Sequence, residues 1–286
     1  MPEFRDDVLQ AIPENEIDNV YQVMRREWPF SGYTCGFLKT CYDWRKKDPS
    51  FDVSLLYDKD NTESGIFVGI LRSGHRTFGL VLFALEGYES ELKNVLLTTK
   101  KINWNELPVL QGVMPRHFDL VGDVVKRKGF GTSTYVESSL HFLHPDLTID
   151  YDTGYPDDVY VARLTMDDVD LIYDLWPLTD IHTKEDIINS IESGPSFGVF
   201  SKFDNEPLAW VMQAHYGAIG MLYTKENVRR HGYAKILVMM MARKMVEEGI
   251  PPYASIVETN TKSITLFHSI GFKQMTRMRY LRVVPK

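Results

Sequence analysis

The chain has 286 residues, of which 44% are hydrophobic, 25% charged and 12% aromatic, enough apolar surface for one large or two ordinary folded domains and unlike a disordered composition. Lys and Arg number 32 against 39 Asp and Glu, a net charge of -7, which argues against a non-specific nucleic-acid binder. The longest apolar run, Ile236 to Ala242, is far short of the ~20 residues that cross a bilayer, so no membrane span is expected.

The N-terminus carries early carboxylates and neither an apolar signal core nor an Arg-rich, acid-poor leader, so a cytoplasmic address is expected. Glu14 to Trp28 and Gly32 to Lys47 read as two helices, the second containing both cysteines, Cys35 and Cys41, which are expected to be buried free thiols. Phe51 to Asp58, Gly65 to Arg72 and Thr77 to Glu86 read as three strands, and Leu107 to Gly112 and Asp119 to Lys128 as further helices. An Asp-, Gly- and Pro-rich stretch from Asp150 to Asp158 breaks both hydrophobic periods. It predicts two α/β domains, 1–150 and 151–286.

The second half is more legible. Val159 to Thr165 reads as a strand, Thr165 as the N-cap of a helix through Trp176, and Thr183 as the start of another. Ser196 to Phe203, Pro207 to His215 and Ile219 to Thr224 form a three-strand meander with turns at Asp204-Asn205 and Tyr216-Gly217. A helix follows from Gly232 to Glu248, with Tyr233, Ile236, Leu237, Met240, Met241 and Met245 at helical spacing. Pro252 to Val257 is strand, Asn260 to Ile270 helix, and Phe272 to Val284 one or two strands. The α, α, β, β, β order of the first half echoes the second, although residue identity between the halves is too low to show a duplication.

The chemistry concentrates where the meander meets the long helix, in Met221-Leu-Tyr-Thr-Lys-Glu-Asn-Val-Arg-Arg-His-Gly-Tyr-Ala-Lys235. Backbone N–H groups at a helix N-terminus are unpaired and lie at the positive end of the macrodipole, so such a junction binds phosphate readily. Gly232 and the small Ala234 permit close approach, and Arg229, Arg230 and His231 add positive charge. A basic helix cap is the competing reading. There is no GxxxxGK[ST] run, and the eight histidines show no metal-ligand spacing, so no metal is expected. Met239-Met240-Met241 are assigned to core and flank of the helix.

Arg229-Arg-His-Gly-Tyr-Ala234, followed by Asn260-Thr-Lys-Ser-Ile-Thr-Leu-Phe-His-Ser-Ile-Gly-Phe272, resembles the acetyl-CoA-binding signature and the N-x-x-[SA]-x-x-[LF]-[YF]-x-x-x-G-F segment of the GNAT acyltransferase superfamily. Gly249-Ile-Pro-Pro-Tyr253 and the chain length are most similar to its glycine N-acyltransferase-like branch, from which a mitochondrial address would also follow. The resemblance implies a GNAT fold, an α/β arrangement with a mixed V-shaped sheet flanked by helices, whose strands at Met221–Thr224 and Pro252–Val257 splay apart. It implies acetyl-CoA or another acyl-CoA as co-substrate and a small amine or amino acid, such as glycine, as acceptor. The pantetheine arm would pair with Leu222, Tyr223 and Thr224, the pyrophosphate would rest on the amides from Arg229 to Ala234, Tyr233 included, and Asn260 and Ser263 would lie near the pantetheine. For Asn260 a plain N-cap is the equal alternative.

The implied reaction is direct attack of the amine on the thioester, with a backbone N–H near Leu222 or Tyr223 holding the oxyanion. Relatives often carry a carboxylate on the fourth strand, but Gly217-Ala-Ile-Gly-Met-Leu-Tyr223 has none. His215 and Glu258 are the substitute bases, with solvated turn residues as their bland reading. Where relatives use a Tyr to protonate the thiolate, this chain has Phe267; Tyr223 could assist or simply pack. An acyl-CoA-binding module without turnover, and an enzyme acting on a protein or peptide amine, are the alternative functions. Oligomeric state is not legible.

Overall fold

The computed structural model describes residues 7–72, 78–148, 154–179 and 182–286. Two compact units are present: one comprises the described parts of Met1–Arg45, Pro49–Ser138 and Thr276–Lys286, the other Lys46–Asp48 and Ser139–Met275. The division falls at Ser138/Ser139, not at the expected 150/151, and the C-terminal segment belongs to the first unit. Composition marks where regular structure breaks, whereas strand pairing decides which residues share a core. Part of the Asp-rich stretch, 150–153, lies outside the described residues.

The first unit runs β1 (Leu9–Ala11), α1 (Ile17–Met24), α2 (Gly32–Lys47), β2 (Val53–Asp58), β3 (Phe67–Leu71), β4 (Gly79–Phe83), α3 (Glu89–Thr98), β5 (Val109–Val113), α4 (Phe118–Arg127) and β6 (Phe130–Phe142). Strands β1 to β4 pair antiparallel in succession, β5 joins β4 in parallel, and the C-terminal strand β12 (Lys273–Pro285) pairs antiparallel with β5 at Arg279↔Val113. Every residue of β3 and β4 is buried, as expected of strands covered on both faces. Helix α2 packs so closely on β3 that a Cβ at Gly69 would lie 2.3 Å from the Phe37 ring. On α4, Leu120, Val121, Val124 and Val125 form the buried stripe, which joins Leu80, Leu82, Leu92, Leu96 and Leu110 in one core.

The second unit runs β7 (Val159–Ala162), α5 (Val169–Leu175), α6 (Lys184–Ser193), β8 (Ser196–Ser201), β9 (Pro207–Gln213), β10 (Ile219–Thr224), α7 (Tyr233–Glu247), β11 (Tyr253–Val257), α8 (Thr261–Ile270) and the start of β12, which from Thr276 onward belongs to the first unit. Its order, β, α, α, β, β, β, α, β, α, β, is that of the first unit, so the echo in the sequence is a repeat of fold. The Thr165 amide donates to Asp168 Oδ2 (2.8 Å) and the Thr183 amide to Asp186 Oδ2 (2.7 Å), reciprocal caps that start α5 and α6 where their sequences indicate. Leu164, Ile172, Ile187, Trp210, Met212 and Met221 form a core under these helices. Met239 and Met241 are buried and Met240 half-buried on α7, in keeping with core and flank.

Three elements depart from the sequence reading. The helix expected at Leu107–Gly112 is strand β5: the apolar run is too short for its period to discriminate, and Leu107, at φ 52, turns the chain into the sheet. Helix α3 and the long strand β6 were not expected. Cys35 and Cys41 are buried free thiols on α2, and burial pushes the Cys35 thiol up to about 12 and that of Cys41 well above its ordinary range.

His117, between β5 and α4, is fully buried with Nδ1 unpartnered. Burial, aided by the adjacent Arg116 charge, pushes its pKa down to about 4. A depressed histidine pKa means that the unfolded chain takes up the proton first, so this contribution is complete above pH ~6.5 and is lost as pH falls toward 4. His117→Gln should therefore flatten the acid limb of stability between those values, by at most about 3 kcal/mol. Urea unfolding at a series of pH values reads this directly, and an unchanged slope would refute the assignment.

Candidate functional site

Strands β10 and β11 are parallel, and their register consists of the single pair Ile219↔Ala254. Beyond it Leu222, Tyr223 and Thr224 keep β9 as their neighbour on one side only, with Tyr223↔Trp210 and Thr224↔Ala209. The β9 register shifts between Gly220 and Tyr223, and Met221, within the shift, is buried at φ 47. A bulge of this kind turns peptide groups out of the ladder. The splay expected at Met221–Thr224 and Pro252–Val257 thus coincides with a local backbone device that the sequence did not reveal.

After β10 the chain makes a 3-10 turn at Glu226–Val228, passes through positive φ at Arg230 (70) and Gly232 (83), and enters α7 at Tyr233. Among the described residues no hydrogen bond takes the amides of Arg230, His231, Gly232, Tyr233 or Ala234. A Cβ at Gly232 would meet nothing within 4 Å, so the chain is open around that residue. Arg229 is engaged internally: its Nε donates to the Thr224 carbonyl (3.2 Å) and its Nη1 to Glu226 Oε1 (3.0 Å). It braces the loop against β10. Arg230 is exposed and has no ion pair among the described residues, and the exposed His231 ring stacks on Tyr233 at 5.7 Å. Tyr233 itself is buried; desolvation and the Asp158 charge raise its hydroxyl pKa, so it stays protonated.

Asn260 caps α8, its Oδ1 accepting from the Ser263 amide (3.1 Å), and Ser263 is half-buried. Phe267 is buried edge-on against Phe272 at 4.9 Å. The two substitute bases lie at opposite ends of the strand pair. His215 sits in the turn between β9 and β10, before the Ile219↔Ala254 pair, whereas Glu258 follows β11 at the end where the strands have parted. His215 is buried against Tyr216, whose carbonyl accepts the Tyr253 hydroxyl, which overturns the solvated-turn reading for His215. Tyr223 stacks on Trp210 at 4.8 Å, the packing alternative for that residue. Thr224 Oγ1, Trp210 Nε1 and Ser196 Oγ are buried without a hydrogen-bond partner; nothing local in the sequence marks them.

The family described as FR47-like protein matches residues 196–281, and a domain of unknown function (DUF5645) matches 8–124. A Drosophila protein of known structure is 18% identical and superposes with a TM-score of 0.85, covering 98% of this chain and 99% of that one. A tandem GNAT protein from the clavulanic acid biosynthesis pathway is 12% identical with a TM-score of 0.56, covering 97% of both chains. The human putative glycine N-acyltransferase-like protein 1B is 26% identical over 202 residues, 63% of this chain and 65% of its own length. Human glycine N-acyltransferase-like protein 1 is 24% identical over 217 residues, 67% of this chain and 68% of its own. Residues 196–281 therefore resemble the FR47-like family, and the chain as a whole has the fold of a tandem GNAT protein.

Both units have the same strand-to-helix junction, and they treat it differently. In the first unit Gly87, at φ 91, precedes Tyr88 as Gly232 precedes Tyr233. Here the chain's own carboxylates take the amides: Glu86 N–H donates to Glu27 Oε1 (2.5 Å) and Gly87 N–H to Glu89 Oε2 (2.9 Å). Arg116, from the far side of β5, pairs with Glu27 (2.5 Å) and donates to the Ala84 carbonyl (2.6 Å). The first junction carries a built-in anion and cation; the second leaves its amides unmet.

Gly232→Ala places a Cβ on a left-handed residue, which should cost roughly 1–2 kcal/mol and rotate the adjacent amides. A melting temperature equal to that of the parent would show that the loop does not hold this conformation.

Proposed function

We propose that the second unit binds acyl-CoA in the gap between β10 and β11 and transfers the acyl group to the amine of a small molecule, glycine or another amino acid being the favoured class. The observation that carries the reading is the strand edge at Leu222–Thr224, unpaired on one side, continuous with five amides that have no partner. The amide-rich pantetheine suits the first as a pseudo-strand and the diphosphate suits the second. The likeness to human glycine N-acyltransferase-like proteins supports the acceptor class.

In this reading the amides from Arg230 to Ala234 hold the diphosphate, Arg230 adds its charge, and the backbone at Leu222–Thr224 aligns the thioester. The Leu222 amide, next to the bulge, is the donor for the oxyanion. The amine nitrogen forms the C–N bond as the C–S bond breaks, and its proton passes to Glu258, to His215, or to water. Glu258 has the better position, at the open end of the strands. Phe267 supplies no proton, so the thiolate leaves as the anion and is protonated by solvent.

Saturating CoA, at ~100 times its Kd, should stabilise the protein by roughly 2.7 kcal/mol, with one site per chain by calorimetry because Glu27 and Glu89 fill the other junction. Arg230→Gln should weaken binding by roughly tenfold. Thiol release from acyl-CoA with a panel of amino acids then tests transfer, and Glu258→Gln should lower kcat with CoA binding intact. CoA binding without acceptor-dependent thiol release would establish the second reading, a binding module, which Phe267 and the acid-free β10 favour. Absence of CoA binding would defeat both.

A further inference from the structure

The first unit holds a cavity of about 250 Å³ at the outer end of its sheet, lined by Arg45, Arg72 and Lys101 together with Ser54, Leu55 and Ile70. It forms because β1 stops early. Ala11, the last residue of β1, pairs with Leu56, and Ile12 adds one bond to the Leu55 carbonyl, so the beginning of β2 pairs with β3 on one side and has no neighbouring strand on the other. Arg45 reaches over from α2 and donates to the Val53 carbonyl (3.3 Å). Arg72 comes from the end of β3, its guanidinium 5.2 Å from the Phe78 ring centroid, and Lys101 follows α3.

No carboxylate is among the lining residues, and none of the three cations has an ion pair among the described residues. That sets them apart from Arg26, Lys93, Arg116, Arg127 and Arg279 of the same unit, each held by a Glu or Asp. Asp7, whose charge acts on Lys101, is already committed to the Thr99 hydroxyl (2.8 Å) and the amides of Lys100 (2.7 Å) and Leu9 (3.0 Å). Three like charges from three separate elements converge on one concavity in a chain with a net charge of -7. Their mutual repulsion is relieved by an anion. Two guanidinium forks match the paired oxygens of carboxylate or phosphate, the Ser54 hydroxyl is a further donor, and Leu55 and Ile70 provide an apolar wall.

We infer that this cavity is a binding site for a small organic anion bearing a carboxylate or phosphate on a short carbon skeleton, separate from the acyl-CoA gap. The full chain is tested by thermal unfolding at constant ionic strength with inorganic phosphate, with succinate, and with chloride as the reference. Phosphate or succinate should raise Tm saturably, and whichever acts identifies the head group. The apparent affinity should fall about tenfold in Arg72→Gln and in Lys101→Gln and further in the double variant, while Arg230→Gln binds as the parent does. Far-ultraviolet dichroism and CoA binding equal to the parent's establish that the variants are folded. No saturable shift, a shift that survives in the double variant, or one abolished by Arg230→Gln would overturn the assignment. So would stabilisation by an acidic peptide such as oligoglutamate in the absence of any effect of the small anions.

Discussion

A backbone amide or carbonyl removed from its strand partner must find another, and β10 is built so that three consecutive residues meet that condition on one edge. Met221 at φ 47 and the register shift beside it turn the strand away from β11 after one pair. The loop to α7 extends the same condition, since its amides from Arg230 to Ala234 have no internal acceptor. The acid-free β10, the internal role of Arg229 and the placement of Glu258 take on meaning only relative to this edge. Without the bulge the two strands would continue to pair and the gap would close.

The repeat of fold makes the point by contrast. The first unit has the same order of elements and a glycine-tyrosine start to the equivalent helix, yet Glu27, Glu89 and Arg116 satisfy its junction from within. Glu27 and Arg116 are only half-buried, and their pairing is reinforced by the Arg116 bond to the Ala84 carbonyl and the Glu86 amide on Glu27. The first junction is thus satisfied from within, whereas the amides of the second have no internal acceptor among the described residues. The convergence of Arg45, Arg72 and Lys101 at the sheet edge gives the first unit a positive surface elsewhere.

Legibility followed the strength of the local signal. Helix α2 and strand β10 have the boundaries their sequences indicate, because hydrophobic period and turn residues agree there. Strand β5 reads as helix because a short apolar run carries no period, and β6, with its Ser and Thr residues, has too few apolar positions to register. The unit boundary was hidden because Thr276–Lys286 joins the first unit through pairing with β5, a contact across most of the chain. At the site, Gly232 is readable as a phosphate-type helix start. The distinction between Arg229, spent on Thr224 and Glu226, and the unpaired Arg230 is one of geometry alone. Neither the bulge nor the orphaned Thr224 hydroxyl has a sequence signature.

The missing carboxylate on β10 is a smaller obstacle than it first looks. A general base is worth about 10²–10⁴ in rate, whereas fixing two reactants in an attack geometry is worth roughly 7–11 kcal/mol, or about 10⁵–10⁸. In this chain the groups suited to alignment are complete: an unpaired strand edge, a row of amides and a braced loop. The proton-transfer groups are the sparse part, with Glu258 at the open end of the strands and His215 buried at the closed one. A deprotonated amine can attack an aligned thioester with water as the proton acceptor, and a CoA thiolate departs without an acid. Under the acyl-transfer reading proposed above, catalysis relies mainly on alignment, and the rate should rise with the fraction of neutral amine and so with pH.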